Sequence, residues 1–365
     1  MARRVLFRSM TSLTHTLQGS SAMSTDVVSI SYQTLVSSPS SLETSIEEAF
    51  GSHPQALGII LVKDLPPVYP IYRERLLKLA HKFAHLDEDV RNKYVDPGSL
   101  YSYGWSHGKE IMNGRPDTLK GSYYANPVVD VPNVEPAVKA AYPPIYGDNI
   151  WPDKNEISVE GFEEAFKNLG RFVFDVGRQL AGACQPFVSK YLTDVSLSVP
   201  ELISTQTAKA RLLHYFPPSG DSPTTEDEPI DSWCGFHKDH SLLTGLCSAI
   251  FLREEAGKEP TATPSPSPTS GLYIKTRGGD LTKVSIPPDC LAFQTGETLE
   301  LVTAGKLRAT PHCVRVGQTG VGAKISRETF ALFMQPDTHQ RISESDTFGS
   351  FSKKVLEEHY EARVI

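Results

Sequence analysis

The stretch Gly235-Phe236-His237-Lys238-Asp239-His240 lies inside a longer run, residues 233–252, that reads WCGFHKDHSLLTGLCSAIFL. His237 and Asp239 are two residues apart, and on a strand residues i and i+2 face the same way. An imidazole and a carboxylate on one face can grip one metal ion. Two ligands do not make a site, so a third has to come from elsewhere in the chain. His312 is the candidate, in the strand-like stretch Ala309-Thr310-Pro311-His312-Cys313-Val314-Arg315-Val316. Two imidazoles and one carboxylate leave coordination positions open, a donor set suited to Fe(II) that must also take small molecules.

An isolated HxD pair describes a surface histidine beside a solvated aspartate equally well. Three features argue for more. Apolar residues follow the pair (Leu242-Leu243, then 246–252), and His312 has a strand-like run of its own. Further on, Ser326-Arg327-Glu328-Thr329-Phe330-Ala331-Leu332-Phe333 puts Arg327 and Thr329 on one strand face. A guanidinium on an inward face is costly to bury unless it meets an anion. Its planar fork suits a carboxylate, and a hydroxyl beside it offers one more donor.

HxD, a distant His and RxT, in that order, resemble the isopenicillin N synthase-like branch of the 2-oxoglutarate/Fe(II)-dependent oxygenases. Residues 210–218 (ARLLHYFPP) are similar to the family's strand leading into the barrel, and residues 291–301 (LAFQTGETLEL) to its "vvniGdqLei" run. The resemblance runs from roughly residue 27 to the C-terminus. It implies a mixed α+β fold, a double-stranded β-helix (jelly roll) core braced by helices, with an N-terminal α/β region. It also implies Fe(II) held by His237, Asp239 and His312, with 2-oxoglutarate chelating the iron through its 1-carboxylate and 2-oxo group. Arg327 would take the distal carboxylate, Thr329 would donate a hydrogen bond, O2 would take the last position, and ascorbate would serve as reductant. The implied reaction releases succinate and CO2 and hydroxylates a small-molecule substrate.

Two departures from the family pattern stand out. Many members have Asn-x-Tyr where this chain is read as His214-Tyr215-Phe216, so the tyrosine contact to the cosubstrate is missing at Phe216 and His214 is the candidate substitute. Arg327 follows His312 by 15 residues, a longer gap than usual, with a Gly-rich filling at 317–324. His240 faces away from Asp239 and is expected to be structural. Two other readings stay open. One is an iron-dependent oxidase without 2-oxoglutarate, since Arg327 with Thr329 can also bind a substrate carboxylate. The other is a non-catalytic jelly-roll scaffold with a structural metal.

Composition bounds the rest. The chain has 365 residues, a net charge of −7, 39% hydrophobic and 22% charged residues. That is ordinary for a soluble protein, and it gives no basis for nucleic-acid binding. No apolar run is long enough for a membrane span. Five cysteines, at 184, 234, 247, 290 and 313, are scattered without a CxxC pair and read as free thiols in a reducing compartment. Residues 1–25 carry Arg3, Arg4 and Arg8 among many Ser and Thr and no acid. They form a flexible leader or a transit peptide. The expected location is cytoplasmic, or mitochondrial or plastid if the leader is a transit peptide. A monomer is expected.

In chain order, residues 26–36 alternate like a strand, 43–50 and 72–86 read as helices, and 57–62 as a buried strand. Residues 104–110 and 121–127 mix turn residues with aromatics and read as ordered loops. A helix over 159–191 carries a sustained apolar stripe and closes an N-terminal region, 26–200. Short strands then make a domain over 201–340, with a hairpin at 271–286 and a C-terminal helix within 341–365. Residues 254–270 (EEAGKEPTATPSPSPTS) are too poor in apolar side chains to fold and read as a mobile surface loop.

Overall fold

In a computed structural model of the chain, residues 27–112, 115–191, 198–217, 234–255, 257–315 and 324–361 are described. The leader, the acidic loop at 219–232 and most of the Gly-rich filling after His312 lie outside them. Among the described residues no helix is long and apolar enough to cross a membrane.

The architecture is mixed α and β around one large sheet. Its main path runs Ser29–Ser31, Ile59–Lys63, Leu291–Thr295, Leu243–Cys247, Ile325–Met334, Lys209–Tyr215, Lys120–Ala125, Gly104–His107. Strands from both sides of residue 200 therefore share one sheet. Ile325–Met334 is the long central member. One edge pairs with Lys209–Tyr215, while the other is divided between Leu243–Cys247 and Ile250–Arg253. A second sheet has four strands in the order Leu281–Val284, Gly271–Lys275, His312–Arg315, Cys234–His237. Residues from both sheets line one cavity between them.

Strand parity separates the two faces of the large sheet. Along Ile325–Met334, Arg327, Thr329, Ala331 and Phe333 line the cavity. The alternate residues Phe330, Leu332 and Met334 enter the main core. That core is covered by the helix Phe162–Val188, whose buried Phe162, Phe166, Leu169, Val173, Val176 and Leu180 make the expected stripe. Glu163 and Glu164 in its first turn face the positive end of the helix dipole. The helix sits close to the sheet because Gly245 has no side chain: a Cβ there would lie 2.4 Å from Val173 Cγ1. Truncating a buried phenylalanine of this stripe to alanine typically costs about 3–5 kcal/mol.

Several expectations need correction. The strand expected over 26–36 is only Ser29–Ser31; the Ser31 hydroxyl then caps the helix Tyr32–Ser37 by accepting from the Thr34 amide. The segments expected as loops are the strands Gly104–His107 and Lys120–Ala125, paired antiparallel at the edge of the sheet. Their aromatics are buried beneath neighbours, Trp105 and Tyr123 both packing on Phe83. The 254–270 segment is not a loose loop either. Thr261–Thr263 pairs with Ile250–Arg253, and Ser267 and Ser270 are buried. Low apolar content did not prevent order: the strand ladder pairs Thr261–Thr263, and the Ser265, Ser267 and Thr269 hydroxyls bond to one another or to nearby backbone.

Candidate metal centre and cosubstrate cavity

His237 ends its strand, and His312 begins the neighbouring one directly opposite it. Directly opposed residues of an antiparallel pair share a face. The two rings accordingly lie 4.3 Å apart between centroids. Asp239 is not on the strand, as the i, i+2 argument supposed, but just past its end. The loop is held there by backbone contacts. The Glu297 amide donates to the Asp239 carbonyl at 2.7 Å, and the Thr298 hydroxyl donates to the His240 carbonyl at 2.5 Å. Gly296 permits this approach, since a Cβ there would lie 2.0 Å from the Ser241 carbonyl oxygen.

The three donor sets converge. Asp239 Oδ1 is 3.7 Å from Nε2 of His237 and 3.7 Å from Nε2 of His312, and one ligand atom from each residue lies within 4.8 Å of the others. Ligands about 2.1 Å from one ion would be separated by about 3–4 Å, so a small inward movement completes the site. The His237 Nδ1 hydrogen donates to the Gly235 carbonyl at 2.8 Å, which leaves the Nε2 lone pair facing Asp239. Burial pushes His312 down to about 4 against the pull of Asp239, so it is neutral at neutral pH, as a metal ligand must be. Burial alone would raise the Asp239 carboxyl. His312, His237 and the Thr244 hydroxyl outweigh it and keep the group below its ordinary value.

Gln294 backs the site. His312 Nδ1 is 2.8 Å from the Gln294 side-chain nitrogen and 3.2 Å from the Thr310 carbonyl, while Gln294 Oε1 is buried without a hydrogen-bond partner among the described residues. Turning the amide over makes that oxygen an acceptor for an Nδ1 proton and leaves Nε2 free for a metal. Replacing Gln294 with leucine is expected to weaken Fe(II) binding about 10- to 100-fold, as losses behind a metal ligand do. Unchanged Fe(II) affinity in a direct titration would show that the Thr310 carbonyl orients His312 unaided.

The cavity beyond these residues has a volume of about 110 Å³, room for about four waters at ~30 Å³ each. Leu213, Leu246, Leu272, Ile286 and Val314 form apolar wall, and Arg327 and Thr329 open into it. The Arg327 guanidinium lies over the Tyr215 ring at 5.0 Å, and its buried Nη1 has no hydrogen-bond partner among the described residues. The Thr329 hydroxyl donates to the Cys247 carbonyl at 3.2 Å.

His214 is not in the cavity. It is on the opposite face, paired with Glu328 at 2.9 Å, both almost fully buried. Arg211, Leu213 and Tyr215 face the cavity instead. The alternation of apolar Leu213 and aromatic Tyr215 with Arg211 was a signal for this register, and a shift of one residue exchanges the faces of a strand. His240 binds Glu297 at 2.8 Å and packs against Phe351, outside the cavity lining.

Two imidazoles and one carboxylate converging between two sheets, beside a guanidinium stacked on Tyr215, match the donor set of non-haem iron oxygenases. No family model matches the chain. It is 25% identical over 304 residues to a probable iron/ascorbate oxidoreductase of Dictyostelium discoideum, covering 77% of this chain and 73% of that one. It is 24% identical over 288 residues to a 2-oxoglutarate-dependent dioxygenase of Gibberella zeae, covering 77% and 68%. In fold it is similar to a 2OG-Fe(II) oxygenase family protein from Caulobacter crescentus, with a TM-score of 0.64, 18% identity, and coverage of 91% and 99%. In sequence and in fold the chain is thus similar to iron- and 2-oxoglutarate-dependent oxygenases, in agreement with its isopenicillin N synthase-like motifs. It is an oxidoreductase whose cofactor is Fe(II), with 2-oxoglutarate and O2 as cosubstrates, and ascorbate fits as reductant.

Proposed function

We propose that the chain hydroxylates a small-molecule substrate with release of succinate and CO2. The two facing sheets are read as a jelly roll, His237, Asp239 and His312 as the iron ligands, and the protein as a monomer. The observation that carries the reading is the convergence of those three donors in the same cavity as the unpartnered Arg327 Nη1. Fe(II) with 2-oxoglutarate and O2 supplies an oxidant able to take hydrogen from a C–H bond.

The residues of the chain bind, orient and shield. Asp239 brings one negative charge and the imidazoles none, so the site neutralises half of a divalent charge and leaves the remainder for an anionic cosubstrate. The Arg327 fork receives a carboxylate in a largely desolvated position, where such a bond is strong. Tyr215 supports the guanidinium through its ring face. The Thr329 hydroxyl beside Arg327 donates to the Cys247 carbonyl, so it has to rotate toward the cavity to donate to a carboxylate held there. The leucine and valine walls keep water from the reacting carbon.

The test is a panel of small molecules incubated with Fe(II)-loaded protein, 2-oxoglutarate and O2, reading succinate and substrate product together. Product and succinate in equal amounts support the reading. Iron-dependent product without succinate would replace it with an oxidase in which Arg327 holds a carboxylate of the substrate.

A further inference from the structure

On the other face of the large sheet a second group of ligand-type side chains meets. His81 lies near the end of the helix Val68–Ala84, and His85 is its C-cap residue four positions on. Residues at i and i+4 stack on one helix face, and the two imidazoles are parallel at 4.1 Å. Glu254 follows the strand Ile250–Arg253, at the root of the 254–270 segment. Its Oε1 is 3.1 Å from His81 Nε2 and 3.3 Å from His85 Nε2. One ligand atom from each of the three lies within 4.8 Å of the others.

With neutral rings, one contact of this cluster lacks a donor. His85 Nδ1 is 2.8 Å from the His81 carbonyl. A carbonyl only accepts, so Nδ1 carries the hydrogen. In a neutral ring the His85 Nε2 lone pair then faces a carboxylate oxygen, acceptor against acceptor.

A second observation comes from His214. Its Nδ1 binds the Glu328 carboxylate at 2.9 Å, which fixes the hydrogen there. Its Nε2 is buried and has no hydrogen-bond partner among the described residues. The ring is near-perpendicular to both His81 and His85, with centroids 5.6 and 5.2 Å away. A buried lone pair without a donor calls for an explanation. A water held on a metal ion between the three ligands would supply the donor.

We propose that His81, His85 and Glu254 bind a second divalent transition-metal ion, Zn(II) by ligand type, that ties the helix Val68–Ala84 to the root of the 254–270 segment. Two imidazole nitrogens and one carboxylate oxygen are a zinc donor set that leaves a position for water. Access is open on one side, where the His85 side chain is 40% and that of Glu254 21% exposed. The site does not depend on the chemistry of the cavity, since it lies behind the strands that carry Arg327 and Tyr215 rather than between the sheets.

The experiment uses the full chain without a polyhistidine tag, carrying His237→Ala and His312→Ala so that the cavity triad does not compete. After chelation and removal of all metal, Zn(II) alone is titrated in and counted by elemental analysis. One tightly held equivalent is expected, with a rise in melting temperature. Adding His85→Ala or Glu254→Gln should abolish both, while the metal-free melting temperature stays where it was. Co(II) in place of Zn(II) should give the intense visible bands of a four-coordinate site, lost in the same variants. Zinc binding that is equal in all variants, or that occurs only at millimolar metal, would mean an adventitious ion only and would overturn the proposal. The isosteric Glu254→Gln keeps the test decisive if His85→Ala disturbs the fold.

Discussion

His237→Ala is expected to abolish turnover while the protein stays folded. The side chain is 39% exposed at the end of a strand, so its loss opens no cavity in the core. What it removes is one of three donors to a single ion. Losing a group merely behind a metal ligand costs about 10- to 100-fold, so losing the ligand should cost more than ~100-fold in kcat/KM. Fe(II) stoichiometry and succinate formation should fall together, with the circular dichroism spectrum unchanged. A variant that binds iron normally and keeps turnover within about tenfold of the parent would show that His237 is not a ligand and would move the site elsewhere.

Arg327→Ala should raise the KM for 2-oxoglutarate about 100-fold. Truncating one partner of a buried charged pair costs about 2–5 kcal/mol, and each ~1.4 kcal/mol is a factor of ten. Its Nη1 has no hydrogen-bond partner among the described residues, so the loss should appear in cosubstrate binding rather than in stability. Arg327→Lys keeps the charge but not the fork, and should lie between the two. If KM for 2-oxoglutarate stays constant and KM for the substrate rises instead, the guanidinium serves the substrate and the oxidase reading gains.

Much of the cavity was legible because it rests on parity. Arg327 with Thr329 share a strand face, and period-two alternation is a local property that needs no tertiary information. The opposition of His237 and His312 was inferred only as a need for a third ligand; the pairing that realises it spans 75 residues. Asp239 was placed on a strand that had already ended, because a loop can hold a side chain in position with contacts from a distant helix start. His214 was misassigned by one residue of register. The second histidine pair was overlooked although His81 and His85 stand at helical spacing in a segment read as a helix. Its third member, Glu254, is 173 residues away from His81 in sequence, and nothing local marks it. Residues 104–110 and 121–127 misled for a different reason: their turn residues suggested loops, but the strands Gly104–His107 and Lys120–Ala125 pair there and pack their aromatics.

The face-to-face division of the two central strands bears on how this chain can change. Arg211, Leu213 and Tyr215 alternate with Leu212 and His214, and Arg327 and Thr329 alternate with Ser326, Glu328 and Phe330. Substitutions on one side can alter which molecules are accepted without touching the other. Deleting or inserting a single residue within either strand would instead bring Glu328 or His214 into the chamber and drive Arg327 or Tyr215 under the helices. Diversification of this scaffold, in nature or in a library, should therefore proceed by side-chain exchange within the strands, and length variation should be confined to the connections between them.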